Sequence, residues 1–142
     1  NILVYERKGK TDIEQGGAFV VFEPNINTGN RVSKRTFFEF SEKPDWQIVT
    51  TPRPEEILKI KNQKLAQDSK PVRFEATIEN PSFDKIENVE VVAILYNAEG
   101  NAIALSKTIL DAIEREGESN AVFTWNKIDG VTSRYEVVTH IR

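Results

Sequence analysis

The chain has 142 residues, a formal net charge of −3, and neither cysteine nor methionine. That length suffices for one medium domain or two small ones. The mildly acidic balance argues against nucleic acid as the main partner, since phosphate binding needs a concentrated basic face, and the lack of cysteine excludes disulfides, thiolate nucleophiles and cysteine-ligated zinc.

No stretch approaches the ~20 apolar residues of a membrane span, and no signal-peptide pattern opens the chain. A start at Asn1 reads as a trimmed piece of a longer protein. In the first third, short alternating runs predict strands at residues 2–7, 18–23, 34–40 and 46–50. Thr51-Pro52-Arg53-Pro54 is then a stiff, extended junction, because each proline disfavours helix at the residue before it. A strand follows at residues 57–65, where Leu58 and Ile60 alternate with Lys59 and Lys61. Residues 55–65 also admit a weak helical reading.

The clearest strand is 72–79, with Val72, Phe74, Ala76 and Ile78 on one face and Arg73, Glu75, Thr77 and Glu79 on the other. Asn80-Pro81-Ser82 ends it, since proline donates no ladder hydrogen bond. Residues 88–96 are apolar on both faces and predict a central strand whose second face is covered in part. Asn97-Ala98-Glu99-Gly100 predicts a hairpin with Gly100 in the left-handed position, returning along 102–110. Residues 111–118 read as a loop, with Ile113 as an inward plug and Gly117 as a turn residue. Ala121, Phe123 and Trp125 alternate inward on the next strand, Asp129-Gly130 marks a turn, and 133–141 is the last strand. About six strands spaced roughly ten residues apart predict an antiparallel β-sandwich of the immunoglobulin or fibronectin-III kind.

The first third repeats part of this pattern. Ile13-Glu14-Gln15-Gly16-Gly17 followed by Val20-Val21-Phe22 parallels Ile113-Glu114-Arg115-Glu116-Gly117 followed by Ala121-Val122-Phe123. An internal duplication accounts for this. It makes residues 1–52 a partial sandwich unit, the C-terminal half of a repeat, and residues 53–142 a complete one. A half-sandwich exposes bare strand edges and needs completion from elsewhere.

The stretch from Phe74 to Trp125 resembles the FxLYD-type domain of bacterial envelope proteins. The match runs through Ala76-Thr77-Ile78-Glu79-Asn80 and Ile86-Glu87-Asn88-Val89-Glu90-Val91-Val92-Ala93-Ile94-Leu95-Tyr96-Asn97 with Gly100, then Gly117-Glu118-Ser119 before Phe123. The naming motif falls on Ala93-Ile94-Leu95-Tyr96-Asn97, with Ala93 in place of the usual Phe and Asn97 in place of Asp. The chain as a whole is also similar to the C-terminal portion of membrane-anchored proteins of bacterial candidate phyla. The resemblance implies a sandwich fold, an extracytoplasmic location and membrane attachment only through an anchor outside this chain. It implies no activity and carries no binding residues.

Few residues suggest chemistry. His140 is the sole histidine; it lies on the polar face of the last strand, with no Gly-x-Ser-x-Gly elbow in the sequence. Asp111, Glu114, Glu116 and Glu118 form a weak Ca²⁺ candidate, because flexible loops rich in carboxylates suit that ion, although the EF-hand ligand order is absent. Trp46, Trp125 and Tyr135 could stack on a sugar; Trp125 fits core packing better, while Trp46 follows Pro44-Asp45 at a strand start. Arg31, Lys34 and Arg35 form a short basic cluster that suits an anionic polymer or headgroup, or simply a solvated hairpin end. Gly16-Gly17 is followed by neither Lys-Ser nor Lys-Thr and so is no phosphate loop.

These features predict a non-enzymatic extracytoplasmic interaction or structural module of a bacterial envelope. It needs no cofactor and meets a protein partner, or itself, through β-edges. The alternative is a carbohydrate-binding or small-ligand-binding accessory domain.

Overall fold

Period-two alternation places every other side chain on one face of a pleated ribbon, so the apolar rows of the second unit can be buried only as stacked sheets. The computed structural model describes residues 2–9, 20–24, 26–40 and 57–141. The chain divides into two compact units, Asn1–Thr50 and Thr51–Arg142.

In the second unit the described residues form strands β1 (Lys59–Ala66), β2 (Val72–Asn80), β3 (Ile86–Tyr96), β4 (Ala102–Ile113), β5 (Gly117–Trp125) and β6 (Arg134–Ile141). They make two three-stranded sheets, ordered β1-β2-β5 and β4-β3-β6, with every pair antiparallel. The fold is an all-β sandwich. Of residues 55–65, where a weak helix was an alternative, those from Lys59 onward go to β1; 55 and 56 lie outside the described residues.

The core lies between the central strands. Phe74, Ile78, Val89, Val91, Leu95, Ala121 and Phe123 are each at most 1% exposed, and the Phe74 and Phe123 rings sit 6.0 Å apart. Burying each such large side chain contributes about 1.5–3 kcal/mol. β3 is buried on both faces: Glu90, Val92 and Ile94, which point away from the core, are buried alongside the fully hidden inward row.

The structure departs from the sequence reading at the ends of β3 and β4. β3 begins at Ile86, because Asn88 adopts φ 56° and lets the alternation skip a beat. Glu87 and Asn88 are both exposed, and Ile86 and Val89 are both buried. β4 correspondingly runs on to Ile113, paired with Ile86. The expected loop 111–118 is therefore a turn of three residues, Glu114, Arg115 and Glu116, between β4 and β5. Its tightness follows from Glu116 at φ 49° and from the Gly117 N–H donating to the Glu114 carbonyl at 3.0 Å.

In the first unit the described residues carry no strand, which corrects the expectation for the described parts of 2–7, 18–23 and 34–40. Apolar alternation there meets no partner strand among the described residues, and a strand without a ladder neighbour is not stable in water. Arg7 pairs with Glu23 at 2.8 Å. Asn27 Oδ1 accepts from the Gly29 N–H at 2.8 Å, and Thr28 closes a turn onto Arg31. Residues 13–17 and 46–50, on which the duplication and one strand rest, lie outside the described residues.

Candidate functional site

Each sheet has two edge strands, and an edge offers unpaired N–H and C=O groups to any passing strand unless something blunts it. β4 and β5, on one side of the sandwich, are stitched across the sheets. Ser119 Oγ donates to the Ala112 carbonyl at 3.3 Å, and Trp125 Nε1 donates to the Leu105 carbonyl at 3.0 Å. β1 is blunted in another way: Lys59, Lys61 and Lys64 are exposed along it. A bulge falls between Lys61 and Lys64, with Asn62 at φ 50°.

β6 lacks the bulge and the lysines, and its charge is confined to Arg134 and Glu136 near its start. Its register with β3 runs unbroken from Tyr96↔Arg134 to Val89↔Ile141, it contains no lysine or proline, and among the described residues it pairs with β3 alone. The core also opens on this side. In the inward row Tyr135 is exposed, at 38%, and Val137, Thr139 and Ile141 are part-buried, as are Ile60 and Leu65 across the slit on β1. Tyr135 rests on Phe74, ring centroids 5.0 Å apart. At one end of the slit the Thr132 N–H donates to Gln67 Oε1 at 3.0 Å. At the other, Ile57, Ile86 and Ile141 line a shallow hollow of about 220 Å³ with Lys85 and Glu87 at its rim.

The outer row of β6 is polar except at its centre: Arg134, Glu136, Val138, His140. Tyr96 Oη donates to Glu136 Oε2 at 3.1 Å, and the Arg134 guanidinium lies over the Tyr96 ring at 3.8 Å. His140 is part-buried opposite Glu90, and Glu90 takes an ion pair from Lys107 at 3.1 Å. His140 has a polar or ring contact of its own besides.

A second concavity, about 410 Å³, lies on the outer face of the other sheet, beside the β1 bulge. Its floor is polar: Thr77 Oγ1 donates to Asn120 Oδ1 at 3.0 Å, Asn62 lies beside Thr77, and an Arg73–Glu75 ion pair flanks them.

The acidic quartet is spread out. Asp111 lies on β4 and Glu118 on β5. Glu114 pairs with Lys85 at 3.5 Å and Glu118 approaches Lys61 at 4.0 Å. Among the described residues no three histidine or carboxylate side chains gather to hold a metal ion. The Lys85 ammonium, between Glu87 and Glu114, is held protonated above the ordinary lysine range, chiefly by its hydrogen bond to Glu87. Trp125 stacks on Phe123, centroids 6.5 Å apart, and spends its N–H on Leu105, so its ring closes the sandwich rather than presenting a flat face. Arg31, Lys34 and Arg35 are all exposed. Trp46 lies outside the described residues. Sequence reasoning singled out loops and aromatics and passed over the β6 edge, because an edge is defined by which strands pair. No family model, curated protein or solved structure matches the chain.

Proposed function

We propose that this chain is a non-enzymatic interaction module of a bacterial cell envelope, placed outside the cytoplasm and working by adding a strand to its β6 edge. The observation that carries the reading is the contrast among the four edges: β4 and β5 are stitched and β1 is bulged, whereas β6 runs without a bulge beside a half-open core, its charge confined to Arg134 and Glu136. Strand addition suits such an edge, since main-chain hydrogen bonds supply affinity and alternate side chains supply specificity. The alternation of strands between sheets supports an immunoglobulin-like order, with β1, β2 and β5 as A, B and E and β4, β3 and β6 as C′, C and F. In that order a further strand belongs beside β6. The envelope location rests on the likeness of Phe74 to Trp125 to FxLYD-type domains.

A photo-reactive residue at Val138, in the protein expressed in its own cells, tests the reading. Discrete protein adducts are expected at 138 and none at Glu99 in the β3–β4 turn, with the adducts open to protease added outside the cell. Absence of adducts at 138, or adducts formed only inside, overturns it.

The polar hollow at Asn62, Thr77 and Asn120 favours a second reading, a site for a hydroxyl-rich ligand such as an oligosaccharide. Amide and hydroxyl groups in a shallow concavity match sugar hydroxyls. Chemical-shift changes confined to these residues on adding envelope glycans would support it; an unchanged spectrum would remove it.

A further inference from the structure

We infer that the hollow on the outer face of the β1-β2-β5 sheet takes an acidic sugar, a uronic acid residue whose carboxylate is held by Lys64. The inference rests on the reading of that hollow as a site for a hydroxyl-rich ligand, and adds the ligand's charge and the group that holds it.

The β1 bulge builds the site. Lys61 lies opposite Thr77 and Lys64 opposite Glu75, so two residues of β1, Asn62 and Gln63, stand against the single Ala76 of β2. In a regular strand, side chains three apart point to opposite faces. The extra residue cancels that alternation, and Lys61 and Lys64 both stand on the outer face with Thr77 and Glu75. Asn62 absorbs the irregularity at φ 50°, a conformation in which asparagine is enriched.

The polar floor is directional. Thr77 is only 8% exposed. Its hydroxyl accepts from Asn62 Nδ2 at 3.4 Å and donates to Asn120 Oδ1 at 3.0 Å. That chain leaves the Asn62 carbonyl oxygen to accept and the Asn120 NH₂ to donate. Sugar hydroxyls do both, so one such ligand can meet both groups. Val122 borders the same hollow and offers apolar contact to ring carbons. The volume, about 410 Å³, falls within the range of small-ligand clefts.

The charge of the hollow selects among sugars. Its lining carries Lys64, Arg73 and Glu75. Arg73 is bound to Glu75, so those two charges offset each other, and neighbouring Lys61 is bound to Glu79 at 2.7 Å. Among the described residues Lys64 makes no ion pair, and its ammonium is the unbalanced charge of the lining. A neutral sugar leaves that cation unanswered, and a bare anion leaves the amides and hydroxyl of the floor unused. A carboxylate carried on a hydroxyl-rich ring answers both.

Short oligomers of galacturonate, mannuronate and glucuronate test the inference, each beside its methyl ester, which keeps the hydroxyls and loses the charge. They are titrated into the isotope-labelled 142-residue chain, and the side-chain amide resonances of Asn62 and Asn120 are followed. At least one acid is expected to move both, binding roughly tenfold tighter than its ester, the factor that a hydrogen bond to a charged group supplies. Salt should erase that preference. Lys64→Gln is expected to abolish the preference while the ester binds as before. Asn62→Gly keeps the backbone turn, since glycine adopts this φ freely, and is expected to weaken acid and ester alike. Thermal melts show whether both variants stay folded. Equal binding of acid and ester overturns the inference, as does a preference that survives Lys64→Gln; in either case the site for a hydroxyl-rich ligand stands. If neither acids nor esters move these resonances, both readings fail.

Discussion

Asn80 Nδ2 lies 3.2 Å from the main-chain carbonyl of Ile113, joining the end of β2 to the end of β4 in the opposite sheet. The same amide reaches the Asp84 carbonyl at 2.7 Å and the Glu114 carbonyl at 3.2 Å. Its Oδ1 accepts from the Ser82 N–H at 3.0 Å and from Ser82 Oγ at 2.6 Å. Asn80 is fully buried, so one side chain ties both sheet-to-sheet crossovers at that pole of the sandwich.

Asn80→Ala therefore strands several carbonyls without donors and leaves a small void. Each orphaned buried group costs about 1–3 kcal/mol. A loss of about 3 kcal/mol is expected, read from the urea midpoint at unchanged slope. Asn80→Asp keeps the Ser82 bonds and loses the donors, and is expected to lose a comparable amount.

The β4–β5 turn is strained in a way that can be relieved. Glu116 holds φ 49°, a region costly for residues with a Cβ. Glu116→Gly is expected to raise stability or leave it unchanged, within about 1 kcal/mol. Gly117→Ala brings a Cβ to 2.9 Å from the Glu114 carbonyl oxygen and is expected to destabilise by about 1–3 kcal/mol. Thermal melts of the two variants should move in opposite directions or differ clearly in size.

Trp125 contributes a ring and a hydrogen bond that can be separated. Trp125→Phe keeps the stack on Phe123 and loses the bond to Leu105, for an expected loss of about 1 kcal/mol. Trp125→Ala removes the ring that closes the β4/β5 side and should cost about 3 kcal/mol. Equal effects in denaturant titrations would mean that the ring does no packing.

Acid should weaken the β1–β2 pairing. Lys61 Nζ sits 2.7 Å from Glu79 Oε1, and this bond, ahead of the charge of Lys59, holds the Glu79 carboxyl below the ordinary glutamate range against an opposing desolvation. A carboxyl whose folded value is depressed contributes stability above its unfolded value, lost as the pH falls through the folded one. Stability is thus expected to decline as pH drops below about 4.3. Lys61→Met should flatten that decline in urea titrations across the acid range.

The lysines of β1 have a testable role of their own. Replacing Lys59 and Lys64 with Val removes charge from the outer edge of an otherwise pairable strand. The double variant is expected to form large particles in light scattering where the wild type forms none beyond its discrete species.

Alternation alone located all six strands of the second unit, because each carries an apolar row that only a two-sheet core can bury. Phe74, Ile78, Val91 and Phe123 could be placed inward from their spacing, and Gly100 in its turn from the left-handed conformation that the hairpin needs. Which edge stayed bare was not legible, since that depends on which strands meet. The lysines of β1 and the polar residues of β6 look alike in a linear chain until pairing sets β4 against β5 and leaves β6 with β3 as its one neighbour among the described residues. The phase slip at Asn88 was hidden for a related reason: a positive φ changes which side chains face inward without changing composition. The inter-sheet role of Asn80 and the placing of Asp111 and Glu118 on separate strands likewise required the tertiary structure, because hydrogen-bond partners and ligand clusters are set by separations in space. Composition and periodicity determined a cysteine-free β-sandwich, and the tertiary arrangement alone decided where that sandwich is open.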